Sequence, residues 1–111
     1  MASGDTPSDR IPVQGPTAAP DSFQGLIERI YFERDRNRGV EGTALWFIEE
    51  VGELVRAIRR GERQNLEEEF ADVYAWLATL ASLHGVDLEE LGRKKYADGC
   101  PRCRNAPCSC H

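Results

Sequence analysis

LWFIEEVGELVRAIRR (residues 45–60) and NLEEEFADVYAWLATL (residues 65–80) are two stretches of helical pattern that meet around Gly61. Each carries an acidic pair at i, i+3: Glu50 with Glu53, and Glu69 with Asp72. Residues at that spacing are neighbours on a helix surface, so each pair presents two carboxylates from one face. In an antiparallel hairpin about Gly61, residues equidistant from the turn lie level with one another. Glu50 then stands opposite Asp72, Glu53 opposite Glu69, and Trp46 opposite Trp76. The expectation is one layer of four carboxylates with two tryptophans beside it.

The rest of the chain bounds this reading. At 111 residues there is room for one small domain. Residues 1–20 (MASGDTPSDRIPVQGPTAAP) hold four of the six prolines and few large apolar side chains. Such a segment cannot bury enough surface to offset its ordering entropy, and a disordered tail is expected there. It has no apolar run of signal-peptide kind, and no stretch approaches the length of a membrane span. A cytoplasmic protein that engages no membrane is therefore expected. A net charge of -5 argues against a broad nucleic-acid-binding face, so no nucleic-acid partner is expected. The four carboxylates make up much of that charge, which hints at a cation the formal count omits.

Helix signals divide the remainder into four. The first helix is expected from Asp21, with Asp21 and Gln24 as a capping box, an apolar stripe of Phe23, Leu26, Ile27, Ile30 and Tyr31, and a stop at Gly39. The second is expected from about Thr43 to Arg60, whose cationic end suits the helix dipole. Asn65 with Glu68 is read as the cap of the third, which ends at His84-Gly85. Asp87 with Glu90 caps a short fourth helix reaching about Tyr96. No alternating pattern of a strand occurs, and the fold class is all-α.

Glutamates on helices most often form a solvated face. Two features oppose that reading here. Glu69 projects between Trp76 and Leu80, inside the apolar arc of its own helix, and Glu50 borders the arc of Phe47, Val51 and Leu54. A carboxylate so placed needs a partner or a metal. In addition, Glu49 faces Glu53 at i+4, a like-charge pair that a merely solvated helix avoids. Glu67 and Glu68 point away and are read as solubilising. The candidate ligands Glu50, Glu53, Glu69 and Asp72 are hard oxygen donors, suited to Mg2+ or Mn2+. A di-iron bundle would need Glu-x-x-His pairs, and neither helix face has a histidine. Magnesium keeps waters and is usually completed by substrate phosphates, which points to phosphate chemistry with an activated water as nucleophile. Trp46 and Trp76 could stack on a base, or could be ordinary core.

E-E-V-G-E (Glu49–Glu53) followed by E-F-A-D (Glu69–Asp72) resembles the E-E-x-x-E … E-x-x-D signature of MazG-like nucleotide pyrophosphohydrolases. These belong to the all-α NTP pyrophosphatase superfamily, with the all-α dUTPases and phosphoribosyl-ATP pyrophosphatase. The likeness spans roughly Phe23 to Tyr96. It implies a hydrolase that splits a (deoxy)nucleoside triphosphate into the monophosphate and pyrophosphate with Mg2+, as a homodimer or tetramer. Carried over by motif position, Glu50, Glu53, Glu69 and Asp72 would be metal ligands, and Glu49 an outer acid or a group that orients water. Trp76 falls where relatives often place an aromatic residue beside the base. Relatives often carry a lysine and an asparagine on the fourth helix, where this chain has Leu88 and Gly92. Only the end, Arg93-Lys94-Lys95-Tyr96, matches. Lys95 and Tyr96 are the candidates for the triphosphate grip, against a solvated basic helix end, with Arg63 a further candidate.

CPRCRNAPCSCH (residues 100–111) spaces its thiols as C-x2-C-x4-C-x-C. In a reducing compartment such crowding favours metal over disulfides. Cys100, Cys103, Cys108 and Cys110 could close a structural tetrahedral zinc site, with His111 able to replace one of them. Free or redox-active thiols are the alternative, although the βαβ context of a thioredoxin-like pair is missing. His84, at a helix end, reads as a cap rather than a ligand.

The chain thus divides into a tail (1–20), a MazG-like domain (21–97) and a Cys-rich tail (98–111). The two long helices carry apolar residues over arcs too broad for the short first and fourth helices to cover. A homodimer or higher oligomer is expected, its paired hairpins completing a four-helix bundle. The alternative to an enzyme is a non-enzymatic zinc-binding or regulatory helical module on the same scaffold.

Overall fold

The computed structural model describes residues 18–111. Among these the chain forms four helices and no strand: α1 (Phe23–Arg38), α2 (Val40–Arg60), α3 (Arg63–Leu83) and α4 (Leu88–Tyr96). The expected tail lies outside the described residues as far as 17. Ala18 to Pro20 belong to the fold: the Ala18 N–H donates to Glu28 Oε2 at 3.3 Å, and Arg29 donates to the Pro20 carbonyl.

Helix ends show where local signals held. Ser22, not Asp21, caps α1, its Oγ accepting from the Gly25 N–H at 3.0 Å. Gln24 forms no capping box because it faces α3 and is buried. Its amide instead donates to the Val86 carbonyl (2.7 Å) and Ser82 Oγ (3.0 Å), and accepts from the Leu88 N–H (2.9 Å). Gly39 alone separates α1 from α2, so α2 begins at Val40 rather than near Thr43. Its φ of 90° lies outside the range open to L side chains. Its N–H closes α1 on the Asp35 carbonyl, and its own carbonyl receives both the N–H and the hydroxyl of Thr43.

Gly61 ends α2 in the left-handed conformation, its N–H on the Ala57 carbonyl at 2.9 Å. Only Gly61 and Glu62 then separate α2 from α3. The third helix starts at once from Glu62 with no side-chain cap, and the expected Asn65–Glu68 cap is replaced by an Arg63–Glu67 pair at 3.0 Å. Asp87 caps α4 by accepting from the Glu90 N–H at 3.1 Å, as its spacing predicts. His84 is the C-terminal cap residue of α3.

α2 and α3 pack as an antiparallel hairpin, and α1 lies mainly against α3. The face that α1 buries is not the expected stripe. Gln24, Ile27, Glu28, Phe32 and Asp35 are buried, whereas Leu26, Tyr31 and Ile30 are exposed, Ile30 at 57%. Polar groups occupy the buried face because α3 offers partners for them. Ser82 Oγ donates to Glu28 at 2.6 Å, and Thr79 Oγ1 donates to Asp35 at 3.0 Å. The Phe23 ring stacks on Tyr74, centroids 4.3 Å apart. The apolar core is small: Ile27, Phe32, Ala57, Ala78, Ala81 and Leu83.

Candidate active site

The hairpin brings Glu50, Glu69 and Asp72 together, with one carboxylate oxygen of each within 4.8 Å of the others. The tryptophans expected beside them are there: Trp46 and Trp76 are nearly parallel, 11° apart in plane, with centroids at 6.0 Å. Glu53 departs from the expected layer. Its carboxylate turns to Arg56, one turn along the same helix, at 3.0 Å. With no cation between them four acids in one layer repel, and Glu53 has a cation of its own within reach. Glu49 stands exposed at the edge, near enough to act on Glu50 through charge.

Burial and charge bear on the acids here. Glu69 Oε1 is buried and has no hydrogen-bond partner. Burial first, then the charges of Asp72, Glu53 and Glu68, push the Glu69 pKa above 4.5, opposed by a hydrogen bond from Glu50. Burial, followed by Asp72, Glu69, Glu53 and Glu49, likewise raises Glu50 from 4.5. An orphaned buried carboxylate oxygen beside two further acids is what a hard cation would satisfy, so the donor set fits Mg2+ or Mn2+.

Asp72 also lines a cleft of about 530 Å³, together with Tyr31, Arg34, Asp35, Arg38, Trp46, Ala75 and Trp76. Acids, aromatic rings and guanidinium groups therefore border one space. The model of the MazG nucleotide pyrophosphohydrolase domain matches residues 38–103. The chain belongs to this family. Its MazG domain covers the hairpin, α4 and the first two cysteines, and the family acts on nucleotides.

The wall that α1 adds to the MazG domain's cleft went unread in the sequence. Arg38 lies over the Trp76 ring, 4.9 Å from its centroid, and pairs with the buried Asp35 at 2.9 Å. Asp35 is fixed from the other side by Thr79, so an ion pair and a hydroxyl orient the guanidinium on the indole. The signal was present: Gln24, Glu28 and Asp35 recur on one helical face with Ile27 and Phe32, opposite Thr79 and Ser82.

Lys95 and Tyr96 are not brought to the acids within one chain. They sit exposed at the end of α4, with Lys95 Nζ 5.8 Å from the Tyr96 ring, and Tyr96 borders a separate shallow cavity. Arg63 is engaged with Glu67. The four cysteines do meet, all Sγ atoms within 4.8 Å of one another, and His111 is not part of that group.

Proposed function

We propose that the protein is a Mg2+-dependent nucleotide pyrophosphohydrolase that converts a (deoxy)nucleoside triphosphate to the monophosphate and pyrophosphate. The observation that carries this reading is Asp72, which belongs both to the carboxylate cluster and to the aromatic, cationic cleft. Glu50, Glu69 and Asp72 would hold the ion, with Glu53 able to join by leaving Arg56. A magnesium ion bound there supplies charge neutralisation for the phosphates and activation of the attacking water.

The chain's own residues divide the remaining work. Trp46 and Trp76 line the same cleft as Asp72 and offer aromatic surface for a nucleobase. Arg34 and Arg38 bring positive charge to a cleft whose ligand carries several negative charges. Arg38 arrives pre-oriented by Asp35, which lowers the ordering cost of using it. Glu49, exposed beside Glu50, is positioned to accept a proton or orient water at the edge of the cluster.

The active species we propose is a homodimer or higher oligomer. Leu45 is 70% exposed and Ile48 65%, and Ile58, Phe70 and Tyr74 are also more than half exposed. A core this small gains stability by association, and pairing two hairpins completes a four-helix bundle. A second chain is also the route by which Lys95 and Tyr96 could reach a triphosphate. No described helix is long and apolar enough to cross a membrane. The free thiols suit a reducing, cytoplasmic setting.

A panel of ordinary and modified (d)NTPs with Mg2+ and with Mn2+ should yield pyrophosphate from at least one of them. No release from any member would sink the enzyme reading in favour of a binding module. Light scattering should give at least twice the 12.5 kDa chain mass, and an active monomer would refute the oligomer.

A further inference from the structure

The thiols of the tail take no part in the chemistry above. Cys100 Sγ lies 3.8 Å from Cys110 Sγ, and Cys103 Sγ 3.9 Å from Cys108 Sγ. A disulfide needs about 2.05 Å between sulfurs, so neither pair is bonded. Four sulfurs around one zinc at about 2.3 Å stand at the corners of a tetrahedron whose edge is about 3.8 Å. The two observed spacings fall on that edge, and the remaining separations stay within 4.8 Å.

The backbone is shaped to hold the sulfurs there. Gly99 turns at φ 96°, so close to Asn105 that a Cβ would stand 2.8 Å from its carbonyl group. The Cys100 N–H donates to the Asn105 carbonyl at 3.0 Å, and the Arg104 N–H to the Cys100 carbonyl at 2.6 Å. Arg104 occupies the left-handed region at φ 63°, uncommon for a residue with a side chain. Two further amides aim at sulfur: Ser109 N–H at Cys103 and Cys110 N–H at Cys108, both at 3.3 Å. N–H donors on sulfur favour the thiolate that a metal requires.

Residues 98–111 have no apolar core of their own beneath these polar contacts. The segment has no large apolar side chain, and Cys108 and Cys110 are exposed. We infer that Cys100, Cys103, Cys108 and Cys110 bind one Zn2+ in a closed tetrahedral site, and that this ion folds the tail onto the end of α4. Binding sends to solvent whatever protons the thiols still hold. Zinc is favoured over iron because the sulfurs lack the apolar cover that shields a redox centre. With every corner taken by sulfur the site has no open position, so its role is structural.

The full chain, purified with reductant and without chelator, should contain one zinc per chain. Titrating its thiols with a mercurial should release that zinc in step with four modified sulfurs. Co2+ in place of zinc should give near-ultraviolet thiolate charge-transfer bands and the visible bands of a tetrahedral site. Cys103→Ser should lose those bands and most of the zinc while its far-ultraviolet circular dichroism keeps the long helices. Glu50→Gln should keep both zinc and cobalt spectrum, which locates the ion in the tail. None of these readouts needs pyrophosphate release, so this inference and the enzymatic reading fail separately. Zinc-free protein that takes up no Co2+, a chain with two disulfides, or a red iron-containing protein would each overturn it.

Discussion

The acid cluster and the thiol cluster both crowd ionisable groups together, and they do so by opposite means. Glu50, Glu69 and Asp72 come from two long helices whose packing holds them together. The thiols come from a short loop with no core beneath it. Helices can carry uncompensated charge: Glu69 keeps a buried oxygen without a partner, and its cluster opens onto a cleft. The loop closes on itself and leaves no corner free. Titration differs accordingly. Burial first raises Glu50 and Glu69, whereas hydrogen bonds from Ser109 hold Cys103 down to about 5, and the neighbouring sulfurs push Cys110 up to about 11. Long packed helices can leave a site open for substrate. A segment that zinc orders, as proposed above, cannot.

Breaking the open cluster should give the largest effect. Glu50→Gln or Asp72→Asn should lower pyrophosphate release by about a hundredfold or more, since groups merely behind metal ligands already cost about 10- to 100-fold. Near wild-type turnover in either variant would refute the ligand assignment. Glu67→Gln, whose carboxylate only meets Arg63, should change turnover little.

The wall between cleft and core is the next place to press. Arg38→Ala leaves Asp35 buried with Thr79 as its remaining partner. Breaking a fully buried pair costs about 3–5 kcal/mol, and the partial exposure of Arg38 reduces the expected loss to about 2 kcal/mol. Urea unfolding measures this. A midpoint equal to the parent's would show that Asp35 does not depend on the guanidinium. Thr79→Ala removes a single hydrogen bond, but one made to a buried carboxylate, and should cost about 1.5–3 kcal/mol by the same measurement.

The smallest effect is the most discriminating between the clusters. Glu50 and Glu69 have folded-state pKa values raised above 4.5, so the folded chain keeps protons that the unfolded chain has released. Their contribution to stability is fully present below pH 4.5 and is lost as pH rises through the raised values. In Mg2+-free buffer the Tm component from these acids should therefore fall as pH rises from 4.5, and Glu50→Gln should flatten the fall. Added Mg2+ should raise Tm more at neutral pH than in acid, where protons compete for the same oxygens. An unchanged slope in Glu50→Gln would detach the effect from this cluster.

The hairpin was legible because its information is local and periodic. Pairing about Gly61 placed Trp46 on Trp76 and Glu50 with Asp72 without reference to any other helix. Three features were not legible in that way. The cap of α1 moved from Asp21 to Ser22 because Gln24 had tertiary partners in Ser82, Val86 and Leu88. The α1 stripe was sought among apolar residues, while half of the buried face is Gln24, Glu28 and Asp35, which hydroxyls on α3 make tolerable. Register and motif position both put Glu53 in the layer, and neither says that Arg56 competes for it.

The two-residue turn at Gly61–Glu62 also bears on the order of assembly. Helices joined so tightly meet through contacts close in sequence, and chains rich in such contacts fold fast. The hairpin is then the expected folding nucleus, and α1, held through Phe32, Asp35 and Thr79, docks on it afterwards. Ala57→Gly should mainly slow folding and Phe32→Leu should mainly speed unfolding in stopped-flow kinetics. The reverse pattern would place α1 in the nucleus. On the expected order, α1 precedes the hairpin in the chain yet finds its place after it, and the acids meet before the cleft beside them has its second wall.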